Sequence, residues 1–361
     1  MRAGKQKVIV GLSGGVDSSV TASLLLDQGY EVVGAFMKNW SENDPENCSE
    51  DCGWQRERQD ALKVAAQLWI PFMTFDFEKE YRERVVNYMI AEYSRCRTPN
   101  PDVLCNSLVK FDLFLEAAKR EGADFIATGH YARVRQNAAG KYELLAGVDT
   151  NKDQSYFLHQ LTQDQLVHTL FPIGHLTKPE VRAIAREKKL LTAEKKDSQG
   201  ICFVGKVDLA DFLRTRIPQT SGPIITVDGK KIGEHQGLAP YTVGQRHGMN
   251  IGGGEPYFVV SKNCETNTLT VAPISQQDAL MQTELTLESM HWIAGEAQQL
   301  PLKCKARIRY RQPLQDVTIT ASGDTTKPYI CTFVQPIRAV TPGQFAVFYN
   351  NDTCLGGGVI M

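Results

Sequence analysis

A glycine- and serine-rich segment at residues 11–19, GLSGGVDSS, has the residue types that bind a phosphate group. It lies between Lys7–Gly11, an apolar run that predicts a strand, and Ser18–Asp27, which predicts a helix. Glycines let backbone N–H groups approach an anion, and the N-terminus of a helix adds positive potential. Asp17 is the exception, because its carboxylate repels phosphate unless a Mg²⁺ ion or a network of donors intervenes. The segment therefore predicts a phosphate-binding loop.

Two cysteines lie in segments that favour a reactive role. Cys105 follows Pro99 and Pro101 in the segment TPNPDVLCN, just ahead of a predicted helix whose N-terminus lowers the pKa of a thiol. Asp102 lies three residues before this cysteine and is suited to donate or accept a proton. Cys202 lies in a second, glycine-containing segment, DSQGICF. Both are candidate nucleophiles.

The other cysteines are expected to be ordinary. The chain has 9 scattered cysteines and no export signal, so we expect reduced thiols, and any disulfide is expected to be catalytic rather than structural. Cys96 is a candidate reactive thiol, although a position outside the reactive site is the favoured interpretation. Cys48 and Cys52 lack a second cysteine pair nearby to complete a zinc site. Four more are expected to be small buried apolar residues: Cys264, Cys304, Cys331 and Cys354.

The elements that must position these residues alternate between strand and helix patterns in the first third of the chain. This alternation predicts an α/β fold with a parallel sheet, which binds ligands at the carboxyl ends of its strands. Met37 ends the second predicted strand, Glu31–Met37, and Gly129 follows the predicted strand Asp124–Thr128. Met37 suits a backbone contact to adenine, and Gly129 leaves room for a ribose or base. The basic stretch Arg182–Lys196 is interpreted as a solvated helix face.

After Arg216, glycines and prolines separate short β-type runs, which predicts a small β module and then a β-barrel or sandwich. The net charge of −1 excludes a polybasic coat for nucleic acid but not a local basic face. Five cations alternate with other residues, and in a strand they would share one face and predict a phosphate track: Lys303, Lys305, Arg307, Arg309 and Arg311. No apolar run approaches the ~20 residues of a membrane span.

The chain resembles the tRNA-specific 2-thiouridylases, a family of PP-loop ATP pyrophosphatases, over nearly its whole length. The phosphate loop is similar to their SGGxDS motif, and it differs from the Walker A and dinucleotide patterns. Further similar segments are NPDVLCN, TGHY, KDQSYF, DSQGICF, TPGQ and CLGGG. The resemblance implies a PP-loop sheet with a helical extension in residues 1–215. It then implies a small β-rich domain in 216–277 and a tRNA-binding β-barrel in 278–361.

The resemblance also implies an activity, the replacement of oxygen by sulfur at C2 of the wobble uridine, position 34, in Lys, Glu and Gln tRNAs. ATP would adenylate the uridine O2, and a persulfide on Cys202, supplied by a sulfur-relay protein, would attack C2. Cys105 would attack the persulfide, either to release sulfide first or to resolve the adduct, so that the product state is a Cys105–Cys202 disulfide. Asp102 would be the general acid or base. A cytoplasmic monomer that uses ATP and Mg²⁺ and binds no membrane is therefore expected.

The resemblance carries ligand contacts to particular residues. The expected ATP-binding residues are Gly11, Leu12, Ser13, Gly14, Gly15, Val16, Asp17, Ser18, Met37 and Gly129. The expected tRNA-binding residues are Asn100, Pro101, Asp102, His130, Lys152, Asp153, Gln154, Arg309, Tyr310 and Gln344. For His130, a structural histidine is the other interpretation.

Three alternatives stay open at this point. The first is another PP-loop enzyme, such as a 4-thiouridine synthase or an amidotransferase-type synthetase, which would not need both cysteine motifs. The second is sulfur transfer through an iron–sulfur cluster ligated by Cys105 and Cys202. The third is a catalytically silent RNA-binding protein, which would keep the basic stripe but tolerate loss of Asp17.

Overall fold

The structure is a computed structural model that describes residues 5–41, 53–196, 209–249, 251–252 and 255–361. Three cysteines lie outside the described residues: Cys48, Cys52 and Cys202. Among the described residues, no helix is both long enough and apolar enough to cross a membrane.

The first part of the chain alternates strands and helices, as the sequence predicts. Its strands are β1 (Lys7–Gly11), β2 (Glu31–Lys38), β3 (Phe72–Asp76), β4 (Phe125–Ala127), β5 (Ala132–Gln136), β6 (Tyr142–Ala146) and β7 (Thr169–Leu170). Its helices are α1 (Val16–Asp27), α2 (Gly53–Gln67), α3 (Glu78–Tyr81), α4 (Asn87–Ser94), α5 (Pro101–Cys105), α6 (Phe114–Arg120), α7 (Ser155–Leu158), α8 (Gln163–Val167) and α9 (Lys178–Glu187). The π-helical segment Arg82–Val86 joins α3 to α4, and Asn106–Leu113 joins α5 to α6.

Five of these strands form one parallel sheet in the order β3-β2-β1-β4-β7, which confirms the predicted fold class. The central strand β1 is buried on both faces. Ile9 packs into one apolar core, and Val8 and Val10 pack into the core on the opposite face. Strands β2 and β3 lie on one side of β1, and β4 and β7 lie on the other. The direction in which the strands are added therefore changes between β1 and β4, and ligands of such sheets bind at this switch point.

The middle part is a small, mostly antiparallel sheet, as predicted. Helix α10 (Leu209–Arg214) precedes it. Its strands are β8 (Gly222–Thr226), β9 (Lys231–His235), β10 (Tyr257–Asn263) and β11 (Thr268–Pro273). Their order is β10-β11-β8-β9, with β11 and β8 parallel.

The last part is an antiparallel barrel, also as predicted. Its strands are β12 (Met281–Leu287), β13 (His291–Trp292), β14 (Leu302–Arg307), β15 (Gln315–Ala321), β16 (Tyr329–Arg338), β17 (Phe345–Asn350) and β18 (Thr353–Val359). Backbone bonds from Glu288 N to Val359 O (3.1 Å) and from Met361 N to Thr286 O (3.0 Å) bring the first strand beside the last. These bonds close the sheet.

The barrel sheet also contains a hairpin from the first part of the chain, which the sequence does not predict. Strands β5 and β6 extend the sheet through β18, with Cys354 opposite Leu144. Phe345 and Tyr349 of β17 share the largest apolar core with the helices of the parallel sheet. The first and last parts of the chain are therefore joined by a sheet and by a core.

Candidate functional site

The phosphate loop connects β1 to α1 at the switch point of the sheet. Helix α1 begins at Val16 after Gly15, and no side chain in the described part of the chain caps its N-terminus. Hydroxyl groups hold the loop. Ser13 N donates to Ser18 Oγ (3.2 Å), and Ser18 Oγ donates to Gly15 O (3.1 Å). An uncapped helix N-terminus at this position suits a phosphate group.

Glycines let the loop pack closely against its neighbours. Gly14 has φ +70°, and a Cβ there would lie 2.8 Å from Glu57 O. A Cβ on Gly129 would lie 2.7 Å from Ser18 N. Met37 Cε lies 3.0 Å from the position of a Cβ on Gly11. The structure therefore brings Met37 and Gly129 to the loop, where the sequence predicts them.

Two apolar residues among the expected ATP-binding residues have buried side chains. Leu12 is 2% exposed and Val16 is 3% exposed, and both pack into apolar cores on the sheet. Each therefore offers a ligand its backbone rather than its side chain.

The charge of Asp17 is compensated within the protein. Lys178 Nζ donates to Asp17 Oδ1 (2.7 Å) and Oδ2 (2.9 Å), and Tyr131 Oη donates to Oδ1 (2.9 Å). The Tyr131 backbone N–H in turn donates to Gln154 Oε1 (3.0 Å). A network of donors thus offsets the repulsion that this carboxylate would exert on phosphate. The sequence analysis did not predict that Tyr131 and Lys178 contact Asp17. The segment TGHY, which ends at Tyr131, was the signal in the sequence that could have pointed to the tyrosine.

A second lysine contacts the loop and corrects an expectation. Lys195 Nζ donates to Gly14 O (3.0 Å) and pairs with Asp60 (2.7 Å). Arg182 Nη2 donates to the Lys195 backbone oxygen (3.1 Å). The interpretation of Arg182–Lys196 as a solvated helix face is therefore wrong for these two residues. Helix α9 ends at Glu187, Lys195 bonds to the loop, and Arg182 bonds to the backbone of the segment that carries Lys195.

The helix that carries Cys105 starts beside the barrel. Asn100 caps α5 by accepting a hydrogen bond from Val103 N (3.3 Å), and Pro101 occupies the first turn, where its missing N–H costs nothing. Cys105 is fully buried one turn into the helix. Asp102 lies in the first turn. Cys202 lies outside the described residues.

Gln344 of the barrel lies against the segment before this helix. Its Nε2 donates to Thr98 O (2.8 Å) and Pro99 O (3.1 Å), and its Oε1 accepts from Asn100 Nδ2 (3.4 Å). The structure therefore brings together Asn100 and Gln344, two residues that the sequence predicts to contact tRNA.

The KDQ segment lies at the contact with the barrel. Asp153 is 3% exposed, and its Oδ1 accepts two backbone hydrogen bonds of 3.0 Å. Its Oδ2 lies 3.4 Å from Arg307 Nη1, in a buried ion pair. Tyr310 Oη donates to Lys152 O (3.4 Å). These contacts join the first part of the chain to β14 and the turn that follows it.

The expectation that five cations share one face of one strand is wrong. Strand β14 ends at Arg307, and Arg309 and Arg311 follow in a turn where Arg311 has φ +64°. Lys303 and Lys305 are exposed, whereas Arg307 is buried by its contact with the KDQ segment. The alternation continues in the sequence, but the strand does not.

Arg309 and Tyr310 are half-buried at this turn. Arg309 Nη2 donates to Val243 O (2.6 Å) and Thr341 Oγ1 (2.7 Å), which ties the middle domain to the barrel. The Tyr310 ring lies 4.5 Å from that of Phe157, centroid to centroid.

His130 lies inside the first domain. Its Nδ1 is 2.7 Å from Thr128 Oγ1, and its ring contacts Phe111 and Phe171. Burial lowers the pKa of His130 well below its ordinary value, and the charge of Lys110 lowers it further. The imidazole is therefore neutral at physiological pH, in the surroundings of a structural histidine.

The cysteines depart from expectation at one pair. Cys96 and Cys264 form a disulfide with a Cα–Cα distance of 5.9 Å. This corrects the expectations that Cys264 is a buried apolar residue, that Cys96 carries a free thiol, and that any disulfide is catalytic. The bond joins the segment after α4 to the turn between β10 and β11. The expected role of a small buried apolar residue is confirmed for Cys331 and Cys354, whereas Cys304 is half-buried against the core that contains Cys331. Burial raises the thiol pKa of all three cysteines.

Comparison with known proteins gives the class. The family model for a tRNA methyl transferase HUP domain matches residues 6–206, and that for a tRNA methyl transferase PRC-barrel domain matches 210–273. The model for an aminomethyltransferase beta-barrel domain matches 282–360. A HUP domain with a phosphate loop at its switch point, followed by two β domains, defines a three-domain nucleotide-dependent enzyme.

Two relatives define the family. The tRNA-specific 2-thiouridylase MnmA of Streptococcus mutans is 49% identical, with 99% of this chain and 95% of the relative covered. That of Streptococcus sanguinis is 48% identical over the same shares. The chain belongs to the tRNA-specific 2-thiouridylase family. This membership disfavours the other PP-loop enzymes and the silent RNA-binding protein.

Solved structures give weaker likenesses. A 4-thiouridine synthetase–RNA complex with bound ATP is 16% identical, with 55% of this chain and 45% of that chain covered and a TM-score of 0.34. An NMN synthetase from Francisella tularensis is 15% identical, with 54% and 67% covered and a TM-score of 0.31. At these scores neither likeness assigns a function.

Proposed function

We propose that this enzyme, a tRNA 2-thiouridylase by family, 2-thiolates the wobble uridine, position 34, of Lys, Glu and Gln tRNAs at the expense of ATP. The observation that carries the proposal is the phosphate loop. Its uncapped helix and the compensated Asp17 suit the phosphates of ATP. The helix that carries Asp102 and Cys105 continues to Phe114, which lies beside Gly11 of the loop. The activating and sulfur-transferring groups therefore belong to one domain.

The first step is adenylation. The uridine O2 attacks the α-phosphorus of ATP, and pyrophosphate leaves. Uracil oxygen is a poor leaving group, whereas AMP is a good one, so this step prepares C2 for substitution. We assign the loop residues Gly11–Ser18, with Met37 and Gly129, to hold the nucleotide.

Mg²⁺ enters this proposal with ATP, as part of the substrate. Among the described residues, no group of three His, Cys, Asp or Glu side chains is arranged to hold a metal ion. Mg²⁺ is commonly bound through substrate phosphates and only one or two carboxylates. Asp17 is the carboxylate at the loop.

The second step is sulfur transfer. The outer sulfur of a Cys202 persulfide attacks C2, and AMP leaves. The Cys105 thiolate then attacks the inner sulfur, the S–S bond breaks, and the outer sulfur stays on C2. The products are 2-thiouridine and a Cys105–Cys202 disulfide, which a dithiol reductant must reopen. We assign Asp102 as the general acid or base of this step.

The tRNA contacts are carried over from the family resemblance, although the structure buries two of these residues, His130 and Asp153, against protein partners. A wobble base lies in a loop, where it can be turned out of its stack and into a pocket. We assign the tRNA contacts to Asn100, Pro101, Asp102, His130, Lys152, Asp153, Gln154, Arg309, Tyr310 and Gln344. We also propose a cytoplasmic monomer that receives sulfur from a persulfide carrier protein.

Nucleoside mass spectrometry tests the proposal. Unmodified Glu tRNA is incubated with the protein, ATP, Mg²⁺ and a persulfide donor. We expect 2-thiouridine at position 34, and none without ATP. The Cys105→Ser and Cys202→Ser variants should abolish it, whereas Cys331→Ser, which changes a cysteine as fully buried as Cys105, should not. Sulfur at another ring position, or full activity without either cysteine, would refute the proposal. Activity that depends on bound iron would favour the iron–sulfur alternative.

A further inference from the structure

Residues 96–100 connect α4 to α5 and are called the strap below. The strap leads directly into the helix that carries Asp102 and Cys105. Both of the other domains bond to it, although it belongs to the first domain.

The barrel holds the strap through backbone and side-chain bonds. Thr98 N donates to Pro342 O (2.8 Å). Gln344 Nε2 donates to Thr98 O and Pro99 O, and Asn100 Nδ2 donates to Gln344 Oε1. Both ends of the Gln344 amide are therefore bonded to the strap.

A close backbone approach supports this grip. Gly343 has φ +89°, and a Cβ there would lie 3.0 Å from the Thr98 backbone. Arg97 Nη2 donates to Ile360 O (3.0 Å), and Arg97 also pairs with Glu288. The strap thus fits the barrel surface with no room for a side chain at Gly343.

The middle domain holds the other side of the strap. The Cys96–Cys264 disulfide is a covalent connection to it. Lys262 Nζ donates to Tyr241 O (2.7 Å) and to Thr98 Oγ1 (3.4 Å). The strap is thus fixed from two sides, immediately before the reactive helix.

We propose that Gln344 is a positioning residue for sulfur transfer, which fixes the strap and through it the start of the helix that carries Asp102 and Cys105. The inference rests on the proposed function of these two residues. It gives the barrel a second role beside RNA binding, because the barrel also sets the geometry of the thiol. A displacement of about 1 Å at a reacting group can cost about 10²-fold in rate.

The expected tRNA contact of Gln344 is the competing explanation, and two measurements separate the two. The Gln344→Leu variant loses all three hydrogen bonds. We expect its single-turnover thiolation rate to fall by about 10²-fold at saturating tRNA, where a lost tRNA contact no longer limits the reaction. Gln335→Leu, an exposed glutamine of the same barrel, is the matched control and should leave this rate unchanged.

The Gln344→Glu variant adds a pH profile. Its carboxylate can accept from Asn100 but cannot donate to the two strap carbonyls, whereas its protonated form can donate to one of them. We expect the thiolation rate of this variant, relative to the wild type, to rise as the pH falls. Gln344→Leu should show no such rise.

Hydrogen exchange tests the strap without catalysis. The Gln344→Leu variant should exchange amide hydrogens of residues 96–105 faster than the wild type, with exchange in β1 unchanged. An unchanged strap, or a raised Kd with a normal rate at saturating tRNA, overturns the inference. If the wild type forms no 2-thiouridine, the proposed function fails, whereas the exchange result still decides whether Gln344 holds the strap.

Discussion

The phosphate loop and the strap differ in where their bonding partners lie in the sequence. The hydrogen bonds that shape the loop join residues two to five positions apart. The bonds that connect the strap to the other two domains join residues 144 to 263 positions apart. The backbone of the loop is therefore shaped locally, and its distant partners, Lys178 and Lys195, belong to the same domain. The strap, by contrast, is held by two other domains. Changes at domain contacts should then affect the thiol segment while they spare the loop.

The largest expected effect is at the buried ion pair between the KDQ segment and β14. Asp153→Ala leaves Arg307 and two backbone N–H groups without their partner, and breaking a buried pair costs about 3–5 kcal/mol. Urea unfolding measures this loss. The matched control is Asp352→Ala, which breaks the exposed pair with Arg133 and should cost less than about 1 kcal/mol. Equal losses in the free energy of unfolding of the two variants would show that the buried pair between the domains contributes no more than an exposed ion pair.

The next effect is at the loop. Gly129→Ala places a Cβ 2.7 Å from Ser18 N and 2.9 Å from the Asp17 carbonyl carbon, so the loop must move. We expect tRNA-dependent release of pyrophosphate to slow by about 10²-fold, with unchanged binding of tRNA. Gly252→Ala, where a Cβ meets nothing within 4 Å, is the control. A normal rate of pyrophosphate release by Gly129→Ala would contradict the assignment of the loop to the nucleotide site.

A smaller effect is expected at the lysine beneath the loop. Lys195→Met removes the donor to Gly14 O and the partner of Asp60. Loss of a hydrogen bond from a charged group should raise the KM for ATP roughly tenfold. Steady-state kinetics measures it. Lys188→Met, which breaks only the pair with the exposed Asp27, should leave the KM unchanged. A tenfold rise of the KM in both variants would show that the net charge of the protein, and not the contact of Lys195 with the loop, sets the KM for ATP.

The last effect is a pH dependence at the strap, which per pH unit is no larger than the tenfold change expected for Lys195→Met. Burial lowers the pKa of Lys262 from 10.5 to about 7. Between these values the unfolded chain binds the proton and the folded chain does not, so the free energy of unfolding rises with pH. The rise is at most about 1.4 kcal/mol per pH unit. Below pH about 7 both states are protonated and this contribution is flat.

Urea unfolding between pH 6 and about 10 tests it. The difference between the wild type and Lys262→Met should rise with pH, since methionine has no proton to lose. Lys303→Met, an exposed lysine of the barrel, is the control and should give a flat difference. A flat difference for Lys262→Met would show that its amine is not held in a buried, charge-excluding place.

The predictable parts of the structure are those with local causes. The parallel sheet follows from the alternation of strand and helix patterns, and the loop from glycines and serines between β1 and α1. Lys178 was missed because its bond to Asp17 spans 161 positions and its own neighbourhood is an ordinary helix start. The disulfide was missed for the same reason, since 168 positions separate Cys96 from Cys264.

The cation stripe shows how a local pattern misleads. Alternation alone predicts one strand through residues 303–311, but the strand ends at Arg307 and the chain turns. Asp153 and the backbone oxygens near Arg309 then bury two of the five cations. Exposure is decided by what packs on a strand, and this information is absent from its own residues.

By itself, the sequence determined the phosphate loop, the α/β sheet, the two β domains and the motifs that identify the family, because each depends on residues close together in the chain. Tertiary structure alone decided which charges are paired, which cysteines are joined and how the segment before Cys105 is held. These features depend on the docking of three domains. The free energy of that docking comes from contacts between residues far apart in the sequence, so no local pattern records them.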